Sequence, residues 1–508
     1  MQWYIRSMHA LRISVISSLL CLVFGQCAEA QQGLNNLWLG GFDSEGSPPF
    51  GGIDLDFQSG SMVVSTMTRA IGYRRTSANI TDGNGNLLFS TNGAFLADSN
   101  GDTLLNGSGL NPSNYTSNYP EGLFVSQASL ILPKPGSATE YYLFHCTIDE
   151  YSPNSFAQQL YLTTVDVSLN GGLGAATAKN EVLIADSLVA GRITAVRHAN
   201  GRDWWVLCHR RGNDVHYRML VSPMGVSAPE VQAIGVDRRY AGGQACFSPQ
   251  GNRFACYKGN AGEDLDVFDF DRCTGLLSNP IHIEVFDTDL AGGVAFSPSG
   301  RYLYVSSVED VYQYDMEAAD IAGSMVHVAV WDGFYSPFPP QATLFDIAQL
   351  APDGKIYIGT GNTTDVLHVI HDPDQPGLGC NLVQHGVSLP RYFENSLPNH
   401  PNYHLGPVDG SVCDSLGITV NVSEASLQDR VRVQPNPSNG AFGINYPAHA
   451  QPGLLEVLDA TGRVAYQHML SAWSTVHQVD LAGHPAGLYH CRLSWGTRST
   501  SVRVILQP

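Results

Sequence analysis

Residues 295–307 read AFSPSGRYLYVSS: a short apolar run, a Ser-Pro-Ser-Gly turn, then a run dominated by aromatic and β-branched residues. Two such runs around a glycine turn predict a β-hairpin, because glycine reaches positive φ with no Cβ clash. The same order stands in ACFSPQGNRFACY (245–257) and QLAPDGKIYIGTG (349–361). Looser versions are ANITDGNGNLLFST (78–91), SLILPKPGSATEYYLFHC (129–146) and TAVRHANGRDWWVLCH (194–209). Marked by Gly85, Gly136, Gly201, Gly251, Gly300 and Gly354, the hairpins recur at steps of 51, 65, 50, 49 and 54 residues.

A further alternating strand follows most hairpins, as in QLYLTTVDV (159–167), DLDVFDFD (264–271) and VLHVIHD (366–372). Three or four strands in about 50 residues is the content of a propeller blade, whereas sandwiches of about 100 residues would not repeat at half their length. The expectation is an all-β chain with a β-propeller over residues 33–412, seven blades being favoured over six. In the seven-blade reading, NLWLGG (36–41) and GGIDLDF (51–57) join 387–409 from the other end to complete the ring.

Composition excludes several classes. The 508 residues are 43% hydrophobic and 14% charged, too apolar for a disordered protein, and 52 glycines with 28 prolines favour turns over long helices. A net charge of −19 disfavours nucleic acid as a partner. Arg6 and Arg12, the apolar run Ile13–Phe24 and Ala28-Glu29-Ala30 read as a signal peptide over residues 1–30. A dozen apolar residues cannot span ~30 Å of hydrocarbon, and no longer apolar run follows, so no transmembrane segment is expected.

Eight cysteines remain beyond residue 30, in a chain bound for an oxidising compartment. Two pairs are candidates: Cys246 with Cys256, five residues either side of Gly251, and Cys380 with Cys413, which flank the ring-closing segment. There is no CxxC spacing, and neither a metal nor a cofactor is expected.

Charge changes near residue 430. Residues 31–430 hold 20 basic against 42 acidic residues, while 431–508 holds five arginines against three acidic residues. Residues 413–430 read as a linker and 431–508 as short strands of a small β-sandwich. The last segment resembles the type IX secretion system (Por) C-terminal sorting domain, type A. The motifs are Pro435-Asn436-Pro437 through Gly440, Val457 to Val464 around Asp459 and Gly462, Asp480 to Tyr489 with Gly487, and Val502-Arg503-Val504-Ile505. The chain departs from the pattern at its end, Leu506-Gln507-Pro508, where many such tails are basic. The resemblance implies the type IX outer-membrane translocon and sorting machinery as partners, and a destination on the cell surface or in the medium. The body, in Asn79–Asn92, Leu132–Gly136, Arg197–Trp205, Phe270–Gly275 and Leu397–Tyr403, resembles propeller proteins carried by the same route. That likeness brings no catalytic residues.

No GxSxG, HExxH, GxxxxGK[ST] or strand-flanked GxGxxG is present. His198 beside Arg197, Arg202 and Asp203 is a candidate acid–base group, set against an ordinary turn histidine. Trp204 and Trp205 alternate along a strand and are expected to pack on opposite faces. Asp98 to Asp102 begins like a calcium loop but lacks its sixth-position glycine and twelfth-position acid, so an Asn-Gly turn is preferred. Glu263, Asp264, Asp266, Asp269 and Asp271 are read as solvated strand edges. His400 and His404 flank Pro401, and His368 and His371 point to opposite faces, so neither pair is expected to share a metal. Two functions compete: binding of a glycan, surface polymer or protein at the propeller face, which is favoured, and an enzyme of hydrolase, lyase or oxidoreductase type in the central channel.

Overall fold

The computed structural model describes residues 33–150, 155–259, 263–285, 292–337, 340–414 and 431–507. The expected signal peptide, and the linker beyond residue 414, lie outside them. Residues 33–405 build seven antiparallel blade sheets and one separate two-stranded hairpin, Tyr335–Pro337 with Pro340–Ala342. Blade 1 holds strands Leu37–Gly40, Gly52–Asp56 and Val63–Met67; blade 2 holds Ala78–Thr81, Leu87–Thr91 and Leu96–Asp98. Blades 3 to 7 open on Ser129–Pro133, Thr194–Arg197, Gln244–Phe247, Gly293–Phe296 and Ala348–Leu350. Each of those five sheets adds three or four further strands.

The opening strands of blades 2 to 7 line the channel, and both faces of each pack against neighbouring blades. That explains the unbroken burial of Ala78–Thr81, Thr194–Arg197 and Gly293–Phe296, where an alternating pattern would mark one wet face. The hairpin turns at Gly85, Gly201, Gly251, Gly300 and Gly354 all lie at positive φ and emerge on one side, the turn face. The residues that precede the inner strands emerge on the opposite side, the entry face.

Blade 1 lacks an inner strand of its own. Residues 397–405 fill that place and run along the channel. Pro398 and Pro401 have no N–H to offer a ladder, so the segment is held largely by side chains. Asn399 Nδ2 donates to the carbonyls of Ser129 (3.0 Å) and Ile193 (2.8 Å), and the Tyr403 hydroxyl donates to Ile131 O at 2.9 Å. The ring closes where Trp38, Ile53 and Phe57 of blade 1 share a core with Tyr357, Leu367 and Phe393 of blade 7.

The cysteine expectations are corrected. Cys413 is bonded to Cys273, 140 residues away, with Cα atoms 5.7 Å apart. Cys380 is a free thiol, 1% exposed, inside the core between blades 6 and 7, whereas Cys413 lies on the turn face beside the Cys273 turn of blade 5. Cys246 and Cys256 are also free. Cys246 pairs with Ala255 and Cys256 with Ala245, so the two side chains leave opposite faces of the hairpin and pack in different inter-blade cores.

Residues 431–507 form two sheets. One holds Arg432–Gln434, Ala441–Asn445 and Val476–Asp480, and the other Val464–Leu470, Gly453–Leu458, Gly487–Trp495 and Arg498–Leu506. Phe442, Ile444, Leu455, Leu493 and Val504 fill the space between them. The motif residues shape its corners. Asn436 ties its strand end to the last strand, donating to Arg503 O at 2.9 Å and accepting from Ile505 N at 3.0 Å. Asp459 Oδ1 accepts from the backbone N–H groups of Thr461 (2.8 Å) and Arg463 (3.0 Å) to close the Gly462 turn. The Tyr489 hydroxyl donates to Pro485 O at 2.8 Å, which braces the turn before Gly487.

Candidate functional site

The channel is the candidate site. Its walls are stitched by amides, because inner strands present unpaired peptide groups to the lumen. Gln127 of blade 3 accepts from Ala245 N (2.8 Å) and donates to Ala245 O (2.9 Å) of blade 5, and its amide also reaches Asn399 Oδ1 at 3.1 Å. Gln244 of blade 5 accepts from Val294 N (3.0 Å) and Ala348 N (2.9 Å), joining blades 6 and 7. A cavity of about 100 Å³ remains beside the closing segment, extending from these amides towards Asn402 and His404.

Charged side chains from four parts of the ring converge at the entry face. Arg75 leads into blade 2, Arg192 into blade 4 and Asp346 into blade 7, and Lys258 ends the second strand of blade 5. Asp346 is fully engaged. It accepts from Asn395 Nδ2 at 2.8 Å and Gly292 N at 3.1 Å, and pairs with Arg75 at 3.4 Å. Arg75 also donates to Gly361 O at 2.8 Å and lies 4.7 Å from the Phe124 ring centre. Arg192 pairs with Glu263 at 3.5 Å, and Glu263 accepts from Tyr240 N at 2.9 Å.

Lys258 is the exception. It is 5% exposed, yet its ammonium has no hydrogen-bond or ion-pair partner among the described residues. Gly242 and Gly243, both at positive φ, let the side chain lie across the backbone; a Cβ on Gly243 would stand 3.0 Å from the Cβ of Lys258. Burial, reinforced by the Arg192 charge, pushes its pKa down to about 8, and Asp346 and Glu263 only partly oppose this. A buried cation at a channel mouth, only partly compensated and without a direct partner among the described residues, is chemically suited to an anion.

Residues 432–507 match the family model described as "Secretion system C-terminal sorting domain". The chain carries a type IX sorting domain. It assigns the protein to export by that system, to the cell surface or the medium. No curated protein matches the chain. Among solved structures, the chain is similar to a provisionally assigned 6-phosphogluconolactonase from Bacteroides uniformis, at 14% identity and TM-score 0.43, over 71% of this chain and 98% of that one. It is also similar to the Dos1 propeller, at 11% identity and TM-score 0.33, over 65% and 90%. A third is the extracellular domain of the one-component system BT4673 from B. thetaiotaomicron, at 11% identity and TM-score 0.35, over 93% and 55%.

The sorting domain is seated on the turn face, with Ser471 against the Gly354 turn and His477 against Gly60. Among described residues, no helix is long and apolar enough to cross a membrane.

The residues singled out from sequence fall mostly outside the channel. His198 sits on the turn face, its Nε2 3.1 Å from Cys273 O and its Nδ1 accepting from Asn200 N. Trp204 packs towards blade 3, with the Arg197 guanidinium 3.9 Å from its ring centre, and Trp205 packs towards blade 5. Asp98 turns its carboxylate onto its own loop, accepting from Asn100 N at 2.8 Å. The acidic run is corrected: Glu263, Asp264 and Asp266 are buried, and Asp266 pairs with Arg238 and His282, both at 2.8 Å, while only Asp269 and Asp271 face solvent. His400 reaches Asn79 O at 2.9 Å and His404 faces Asn35, in separate contacts. His368 is buried against Leu344 O.

Arg75, Arg192, Lys258 and Asp346 were not legible as a set. Each is an ordinary polar residue in its own segment. One signal existed: Arg192, Gly242, Gly292 and Asp346 stand eight or nine residues before their marker glycines, at one place in the repeat.

Proposed function

We propose that the protein is an exported β-propeller that binds an acidic glycan or surface polymer, seating a carboxylate or sulfate at the entry-face mouth against Lys258. In this reading residues 1–30 are a removed signal peptide, 33–412 the binding ring and 413–430 a linker to the address domain. The observation that carries it is that the ammonium of Lys258 has no direct partner among the described residues, while Arg75, Arg192 and Asp346 beside it are paired. An anion there accepts from Lys258 without competing with Asp346 or Glu263, whose oxygens are already engaged.

Uronic-acid and sulfated oligosaccharides, tested by calorimetry on the full chain beside their neutral counterparts, provide the measurement. Binding of the acidic set, lost in Lys258→Met and weakened by salt, supports the proposal. Equal binding of neutral and acidic sugars overturns it. The pKa of Lys258 favours a second reading, an enzyme in which the neutral amine takes a proton from a bound acid. Lys258→Arg separates the two, since arginine holds the anion but is no base at neutral pH.

A further inference from the structure

The channel has two mouths, and the sorting domain occupies one of them. Trp473 lies in the left-handed region at φ +59°, a conformation that side chains this large adopt only when their surroundings impose it. The loop does so. Trp473 N donates to His449 O at 2.8 Å, Ser474 Oγ donates to Ser471 O at 2.6 Å, and the Tyr446 hydroxyl meets Ser474 Oγ at 2.9 Å. The indole is thereby directed out of the sorting domain, whose core does not include it, and packs against the core between blades 4 and 5. Trp473 and Thr475 line the channel cavity with Asn402 and His404. The indole N–H is buried and has no acceptor among the described residues.

The seat is fitted around this loop. Thr475 N donates to Pro352 O of blade 7 at 3.0 Å, and Val476 joins Trp38, Phe57 and Tyr357 in the ring-closing core. Asn445 Nδ2 donates to Gln58 O at 3.0 Å, and Arg432 to Asn84 Oδ1 at 3.1 Å. Gly443 lies so close to Ser59 that any Cβ would collide with the Ser59 carbonyl.

We infer that the sorting domain is an intramolecular stopper: its 471–475 loop, with Trp473 as the plug, closes the turn-face mouth, and detaching the domain opens that mouth. While the tail is attached, ligands enter from the Lys258 side only. The inference is independent of what binds there.

The test uses the full chain with a protease site inserted between residues 415 and 430. After cleavage the two pieces are expected to co-elute in gel filtration. Cys246, a half-buried free thiol in the cavity wall, is expected to react slowly with a small maleimide, as do the buried Cys146 and Cys208. Trp473→Gly suits the positive φ and leaves the sorting-domain core untouched. It should let the pieces separate and raise the Cys246 rate several-fold, with Cys146 and Cys208 unchanged. Arg432→Ala with Asn445→Ala, which alters only rim contacts of the seat, should weaken co-elution in the same direction. Wild-type pieces that part on cleavage, or a Trp473→Gly protein that co-elutes as firmly as wild type with Cys246 still protected, would overturn the inference.

Discussion

Lys258 shows how a buried charge is held at a cost in stability. Its pKa is about 8 in the folded chain and about 10.4 unfolded. The native state therefore gives up its proton first, and stability rises with pH between about 8 and 10.4; below 8 both states hold the proton and the penalty is constant. Lys258→Met should raise the neutral-pH unfolding free energy by up to about 3 kcal/mol, read from urea denaturation, while abolishing binding of the acidic ligand. A drop in stability would mean that the ammonium has a compensating partner. Binding itself should fall as pH rises through about 8, where the cation is lost. None of this was visible in YKGN, in which Lys258 reads as a strand-end lysine.

Among elements, the closing segment bears the most on the fold. Asn399 Nδ2 serves two carbonyls from different blades, and its Oδ1 accepts from Gln127. Asn399→Ala leaves buried peptide oxygens unsatisfied and is expected to cost about 3 kcal/mol, by comparison of chemical-denaturation midpoints. A cost below about 1 kcal/mol would show that water replaces the amide. The repeat period made the six hairpins readable, and the leftover segments at both ends pointed to a shared seventh blade. The disulfide was not readable. Sequence nearness suggested Cys380 for Cys413, but blade curvature brings Cys273 to the turn face and buries Cys380 in a core.

For the whole molecule, the buried histidines set a limit in acid. His145 is fully buried, with Asn111 Oδ1 and Thr163 Oγ1 each 2.8 Å from its ring nitrogens, and desolvation holds its pKa down at about 3. Burial likewise lowers His216 to about 3, and His368, His400 and His404 to about 4. Each has an ordinary value near 6.5, so the unfolded chain takes up protons that the native state refuses. The histidine contribution should be flat above pH 6.5, and stability should fall progressively from there to about pH 3. Thermal unfolding at pH 7, 5 and 4 tests this, and a Tm unchanged to pH 4 would contradict buried neutral imidazoles. Sequence placed several of these histidines on strands, but their burial depends on blade-to-blade packing that no single segment displays.

Blade 1 takes Leu37–Met67 from near the start of the described residues and residues 397–405 from more than three hundred residues later. The ring therefore has no finished form until both ends of that span are present together. Pairings this distant in sequence make folding slow and late. A chain that has been made only as far as blade 7 is still open, and the circle of blades can shut only once residues 397–405 have followed.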